Sequence, residues 1–397
     1  MHIVISGKCL GTLHNLIHDG DRFTWSNDIP QDSLTLGIED SVRDIETIAE
    51  ACGCDLDTFD RSPHGRSARV IFGDSDVIIP WMHMMPKNAF QNQLQNLLKQ
   101  LWRIIGDQSN QYYINQFLCN RELLMTLQQP LIDVSLLRKI ADKSDLKRGE
   151  ILKFMPAAGD ISPRTVYSQA GSITGRLTVR EGPNILTLKR ENRRIFKSRF
   201  KGGKIIQIDI SSLEPRIALS VSGKDFSGDI YELVGREVLE DRLTRDQVKI
   251  AVLSCMYGAS SWSLSKQIPE ELDSKKIMNE IKSYFEIPKL KLKLENDLVK
   301  MGHIRNLYGR NIKSQDSVVN HFLQSSGVDV SFNVFSQILD DIRSNCDRAI
   351  PIYIIHDAIL LDIAGEEYEK IKKLTSSGYK VDNLDCIFPV KVETIRE

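Results

Sequence analysis

Apolar positions along the chain fall into two kinds of pattern, short runs that read as strands and longer stretches with helical spacing. The clearest run is Lys204-Ile-Ile-Gln-Ile-Asp-Ile210, where Ile205, Ile206, Ile208 and Ile210 predict a buried β-strand punctuated in front by Gly202-Gly203. Further strands are predicted over 2–6, over 70–72 with 77–79, and near the C-terminus over 352–355, 359–363 and 388–392. Helical spacing marks 38–51, 88–105, 115–127, 135–154, 229–239, 245–266, 270–299 with a break at Pro288, and 316–346. The stretch 156–183, rich in Gly, Ser, Thr and Pro, holds only short alternating segments such as Arg164-Thr-Val-Tyr167.

Composition narrows the class. A chain of 397 residues can bury a large core and hold more than one subdomain. The net charge of −1 hides a basic band between Arg138 and Lys204, which suits a polyanion track, although a solvated surface gives the same pattern. Seven scattered cysteines read as reduced thiols, and Cys52-Gly-Cys54 has no second Cys/His pair to make a structural zinc site. With neither a signal peptide nor a membrane-length apolar run, the expectation is a cytoplasmic protein, neither secreted nor membrane-bound. Asp44-Ile-Glu46 has the spacing of an exonuclease metal pair but lies in a helical pattern, which predicts a solvated helix face.

Three stretches carry candidate chemistry. The central strand ends in Asp209, followed by Glu214 and Arg216; a carboxylate at a strand end can hold a divalent cation, but a capping Asp beside a surface ion pair reads equally well. Arg245, Lys249, Leu253 and Tyr257 recur every fourth residue and share one helix face, where two cations and an aromatic suit a triphosphate and its base; routine exposed residues are the alternative. His356-Asp357 separates two apolar segments and predicts a hairpin tip presenting an acid. Asp209 and Asp357 together could share a pair of metal ions for phosphoryl transfer.

In that order the three stretches resemble motifs A, B and C of DNA polymerase family A, the bacterial polymerase I family. Thr174-Gly-Arg-Leu177 with Pro183-Asn184, Arg193-Arg-Ile195, Leu307-Tyr-Gly-Arg310 and the Asn320…Gln324 pair resemble further segments of the family. The resemblance implies a right-hand α+β fold with an antiparallel-sheet palm, helical fingers and a reduced helical thumb. It places a small α/β accessory unit without exonuclease activity at 1–80, a thumb-like region at 81–160, palm at 161–228, fingers at 229–302 and palm again at 303–397. It implies template-directed addition of dNTPs to a primer 3′ end. Asp209 and Asp357 would hold two Mg²⁺ ions (Mn²⁺ as a substitute), and Lys249 and Arg245 the triphosphate. Tyr257 and Leu253 would line the nucleotide site, and Glu214 would crowd a ribose 2′-hydroxyl. Arg176, Asn184, Arg310, Asn320, Gln324 and His356 would touch DNA, and Arg216 would organise the palm. Primer-template DNA is the implied partner, with a processivity or replisome protein compensating for the small thumb.

The departures matter as much. Ala358 stands where motif C has a glutamate, Leu253 where an aromatic is usual, and Tyr231 where the family has a phosphate-reaching histidine. The compact fingers and short thumb suggest a viral or mobile-element enzyme. A single-subunit RNA polymerase and a degenerate, DNA-binding replication subunit are the alternatives.

Overall fold

The computed structural model describes the chain except for residues 39–40, 42, 55, 60–61, 73–78, 144–147, 227, 315 and 397. It divides into two compact units, one of residues 1–122 with 309–311, the other of 123–308 with 312–397.

In the first unit β1 (His2–Ile5) pairs antiparallel with β2 (Asn15–His18), which pairs with β3 (Phe23–Ser26), and parallel with β4 (Ser33–Leu36), giving the order β3-β2-β1-β4. Helices follow at α1 (Ile45–Ala51), α2 (Pro63–Phe72), α3 (Lys87–Gly106) and α4 (Gln108–Thr126), of which α4 belongs to this unit as far as Glu122. Asp44 caps α1 by accepting from Thr47 N. The strand expected over 70–72 is instead the end of α2, and its continuation at 77–79 lies largely outside the described residues. Val70 and Ile71 are 85% and 75% exposed, so no sheet face recruits them. Ser62 starts that helix by accepting from Gly65 N, and a short β-branched run cannot by itself tell strand from helix.

The second unit is built on a four-stranded antiparallel sheet. Its central strand β5 (Lys204–Ile210) lies between β7 (Ala358–Ile363) and β8 (Val390–Arg396), and β6 (Ala349–Ile355) borders β7 on the far side. Alternation along β5 sends Ile206, Ile208 and Ile210 into the main hydrophobic core. Each isoleucine removed from water in this way contributes roughly 2–3 kcal/mol. Ile205 joins a second core with Tyr353 and Leu360, and Gln207 and Asp209 share its face of the strand.

Around the main core pack α5 (Leu213–Val221), α6 (Ile230–Glu237), α7 (Arg245–Met256), α8 (Ser274–Tyr284), α9 (Ile287–Met301) and the long α10 (Val318–Asn345). Pro288 sits in the first turn of α9, where its missing N–H costs nothing, so the predicted break separates two helices. Gly327 of α10 lies where an added Cβ would come within 3.2 Å of Leu213, which lets that helix approach α5 closely. The single helix expected over 135–154 is two, Val134–Asp142 and Arg148–Leu152, with 144–147 outside the described residues.

Candidate active site

Register brings the two candidate metal carboxylates together. Ala358 pairs with Asp209 across β7 and β5, so Asp357, one residue earlier in the two-residue turn from β6, stands at the same end of the sheet. The amide of Ile210 donates to the carbonyl of Asp357 at 3.0 Å, tying the strand end to the turn. Two non-glycine residues here adopt left-handed backbone, Ser212 (φ 56°) after Asp209 and His356 (φ 55°) in the turn. Such conformations hold only where the surroundings impose them, and they collect at functional sites.

Behind Asp209 lies a relay that the sequence reading did not single out: Arg193 Nη1 donates to Gln207 Oε1 at 2.9 Å, and Gln207 Nε2 donates to Asp209 Oδ2 at 3.3 Å. Its signal was available, because Gln207 interrupts an apolar strand two residues before Asp209 and therefore shares its face. Burial, then repulsion from Asp357, pushes the Asp209 carboxyl up to about 6. Burial also raises Asp357 above its ordinary value. His356 is lowered by burial and by Arg176 and Arg193, so its imidazole is neutral near pH 7.

The sign of this shift yields a stability prediction. A raised carboxyl pKa means that the folded state binds the proton more tightly than the unfolded state. The resulting cost is absent below about 3.8, grows through the interval, and is complete above about 6. Asp209→Asn should therefore stabilise the metal-free protein at pH 8 by on the order of 1–2 kcal/mol, with little effect at pH 4. Thermal melts at the two pH values check this, and an unchanged or lower melting temperature at pH 8 would refute it.

Helix α7 starts at a capping box in which Thr244 and Gln247 satisfy each other's backbone, fixing Arg245 in the first turn. Asp229 caps α6 and also accepts from Arg245 Nε (2.9 Å) and Nη2 (2.5 Å). Burial pushes Asp229 up, but the bonds from Arg245 and from the Glu232 and Tyr231 amides outweigh it and hold the carboxylate below its ordinary range. The Tyr231 ring lies under both cations, 5.5 Å from the Arg245 guanidinium and 6.0 Å from the Lys249 ammonium.

Facing this helix, Glu214 Oε1 accepts from Tyr257 Oη at 3.2 Å and Arg176 Nη2 at 3.3 Å. Arg216 makes no use of Glu214: it is buried and donates to the carbonyls of Ser211, Phe226, Gly228 and Ile387, locking the turn after β5.

One cleft of about 630 Å³ opens at this end of the sheet. Of the residues singled out by sequence, Asp209, Asp357, Glu214, Arg245, Lys249, Leu253, Tyr257, Arg176, Gln324 and His356 face it. Asn320 receives a 2.5 Å hydrogen bond from Gln324 Nε2 on α10. Asn184, Arg310 and Asn320 are not among the residues lining this cleft. Asn184 lies outside this cleft and caps the turn at Ile185–Thr187 by accepting from Leu186 N. Arg310 is 4% exposed and donates to Tyr113 Oη at 2.5 Å, so its guanidinium is committed inside the first unit. The cleft also recruits Tyr231, Arg190, Lys391 and Glu393. The alternation Val390-Lys-Val-Glu393 was the sequence signal for the last two.

Among the described residues no three His, Cys, Asp or Glu side chains converge as a metal site. Two partly buried carboxylates that repel each other suit a hard divalent cation, which would relieve both the repulsion and the lost hydration.

The structure matches the polymerase domain of Pol1 from M. smegmatis, described in complex with DNA primer-template and dNTP. The TM-score is 0.64 at 16% identity, covering 96% of this chain and 92% of that one, a likeness of fold. The family model for DNA polymerase family A matches residues 88–396, and the chain belongs to that family. Relatives include DNA polymerase I of Aquifex aeolicus (24% identical, 67% of this chain, 49% of the relative). DNA polymerase I of Caldicellulosiruptor bescii (23%; 75% and 43%) and the DNA polymerase of Bacillus phage SP01 (26%; 52% and 27%) also match. The chain spans about half the length of the first two relatives.

Proposed function

We propose that this chain is a template-directed DNA polymerase that adds dNTPs to a primer 3′ end by two-metal-ion nucleotidyl transfer. One observation carries the reading: Asp209 and Asp357, set side by side by strand register, face Arg245, Lys249 and Tyr257 across a single cleft.

Asp209 and Asp357 would hold two divalent ions, Mg²⁺ or Mn²⁺, which when bound activate the primer hydroxyl and offset charge on the phosphates. Lys249 and Arg245 bind and orient the triphosphate, with Asp229 keeping the Arg245 fork aimed before substrate arrives. Glu214, fixed by Tyr257 and Arg176, fills the space a ribose 2′-hydroxyl would need. Leu253 offers the sugar an aliphatic contact in place of a ring. Arg176, Gln324 and Asn320 would meet the primer end through minor-groove acceptors, whose positions vary little with sequence. The neutral His356 would sit against the primer terminus.

We also infer that the first unit does not proofread. Its strand β1 carries no carboxylate, and Asp44 is spent on a helix cap. Glu214, held by two donors, disfavours the RNA polymerase alternative.

Extension of a primed single-stranded DNA with four dNTPs and Mg²⁺ tests the reading. Template-directed products are expected, and primer shortening without dNTPs is not. No extension at high enzyme with either Mg²⁺ or Mn²⁺ would instead favour a DNA-binding subunit.

A further inference from the structure

The edge strand β8 borders the strand of Asp209. In antiparallel pairs, directly opposed residues project from the same face. Ala358, Asp209 and Lys391 therefore form one row across β7, β5 and β8, and Gln207 and Glu393 belong to the next. On one side of Asp209 the row offers a methyl group; on the other it offers a lysine.

An ammonium opposite a carboxylate ordinarily pairs with it. Such a pair would cancel one of the two charges of Asp209 and Asp357 and weaken their attraction for a divalent cation. Lys391 goes elsewhere: its Nζ lies 2.7 Å from Glu393 Oε1. The other carboxylate oxygen of Glu393 takes the guanidinium of Arg190, another cation of the cleft whose charge reaches Asp209. Glu393 is 23% exposed, the Lys391 and Arg190 side chains 69% and 66%. The carboxylate is thus the better-anchored member of the group.

We propose that Glu393 is a positioning residue that holds Lys391 and Arg190 away from Asp209 and so sets the divalent-cation affinity of the Asp209–Asp357 pair. The inference rests on the reading that those two aspartates hold the metal. Glu393 acts through the two cations it restrains, and its own charge also reaches Asp209.

Mn²⁺ binding to the whole protein without DNA, followed by electron paramagnetic resonance, tests this without any turnover. Glu393→Gln should weaken binding about three- to fivefold, the scale of one partly exposed charge pair. The Mg²⁺ concentration for half-maximal extension should rise in parallel. Lys391→Leu in the Glu393→Gln background should recover most of the loss, and Lys391→Leu alone should bind at least as tightly as wild type. Unchanged Mn²⁺ affinity in Glu393→Gln would overturn the inference, and so would a double variant as weak as the single one. Asp209→Asn separates the two layers. If it loses Mn²⁺ while Glu393→Gln binds normally, only the role of Glu393 falls; if it binds as well as wild type, the metal reading falls with it.

Discussion

Asp209→Asn and Asp357→Asn should each lower primer extension by on the order of a thousandfold or more while leaving primer-template binding within a few-fold of wild type. The size follows from the charges involved. A metal's contribution to a phosphoryl-transfer transition state is several kcal/mol, and each 1.36 kcal/mol is tenfold in rate. Among the described residues no third carboxylate joins the pair, because Ala358 occupies the neighbouring position in the row. Losing one of two ligand carboxylates should therefore be harsher than losing one of three. Asparagine keeps the size of the side chain and removes the charge, and the sheet should survive, since Asp209 lies at a strand end and contributes no core packing. The measurement is single-turnover extension with dNTP and Mg²⁺ beside a binding titration on the same DNA. Activity within tenfold of wild type in either variant would sink the assignment of these two residues. Joint loss of activity and DNA binding would point to a damaged fold.

The second large effect is expected at Glu214. Its side chain is 14% exposed and is held from two directions, by Tyr257 at the end of the cationic helix and by Arg176 from the loop before the short strand Thr178–Glu181. A group fixed in this way cannot swing aside for a ribose hydroxyl, and admitting one would also leave polar atoms unpaired. Glu214→Ala should therefore raise kcat/KM for ribonucleotides and narrow the preference for dNTPs by about a hundredfold, on the scale of discrimination by a single polar contact. Glu214→Gln retains the volume and should keep most of the preference. Tyr257→Phe removes one of the two hydrogen bonds and should fall between. Incorporation of matched dNTP and NTP by the three variants reads this directly. A ratio unchanged in Glu214→Ala would show that discrimination lies elsewhere, with Tyr231 beneath the cations as the next residue to test.

Much of the candidate site was legible along the chain because its parts obey local periodicities. The β5 run alternates, the Arg245–Tyr257 residues repeat with the helical turn, and His356-Asp357 divides two apolar segments, so each projects its chemistry in a direction that local geometry dictates. Where local signals were ambiguous, the sequence reading erred. The apolar run at 70–72 closes a helix whose start is capped by Ser62, and nothing in three residues distinguishes that outcome from a strand. Other partnerships were invisible to local pattern: Asn184 accepts from Leu186 N, and Arg310 donates to Tyr113 Oη.

The order of acids and cations along the chain, and which of them share a strand or helix face, was settled by the sequence alone, because a period of two or of 3.6 needs no distant partner. Partnership was left to the tertiary structure. Glu214 stands two residues from Arg216 in the chain, but Arg216 is drawn into the backbone carbonyls beneath it, and Glu214 is held by a tyrosine and an arginine from remote segments. Likewise, only strand register sets Lys391 opposite Asp209, and only a carboxylate two residues further on draws it away. Charge pairs form between whichever groups the packing brings within a few ångströms, and cross-strand register is a long-range property that local patterns do not encode.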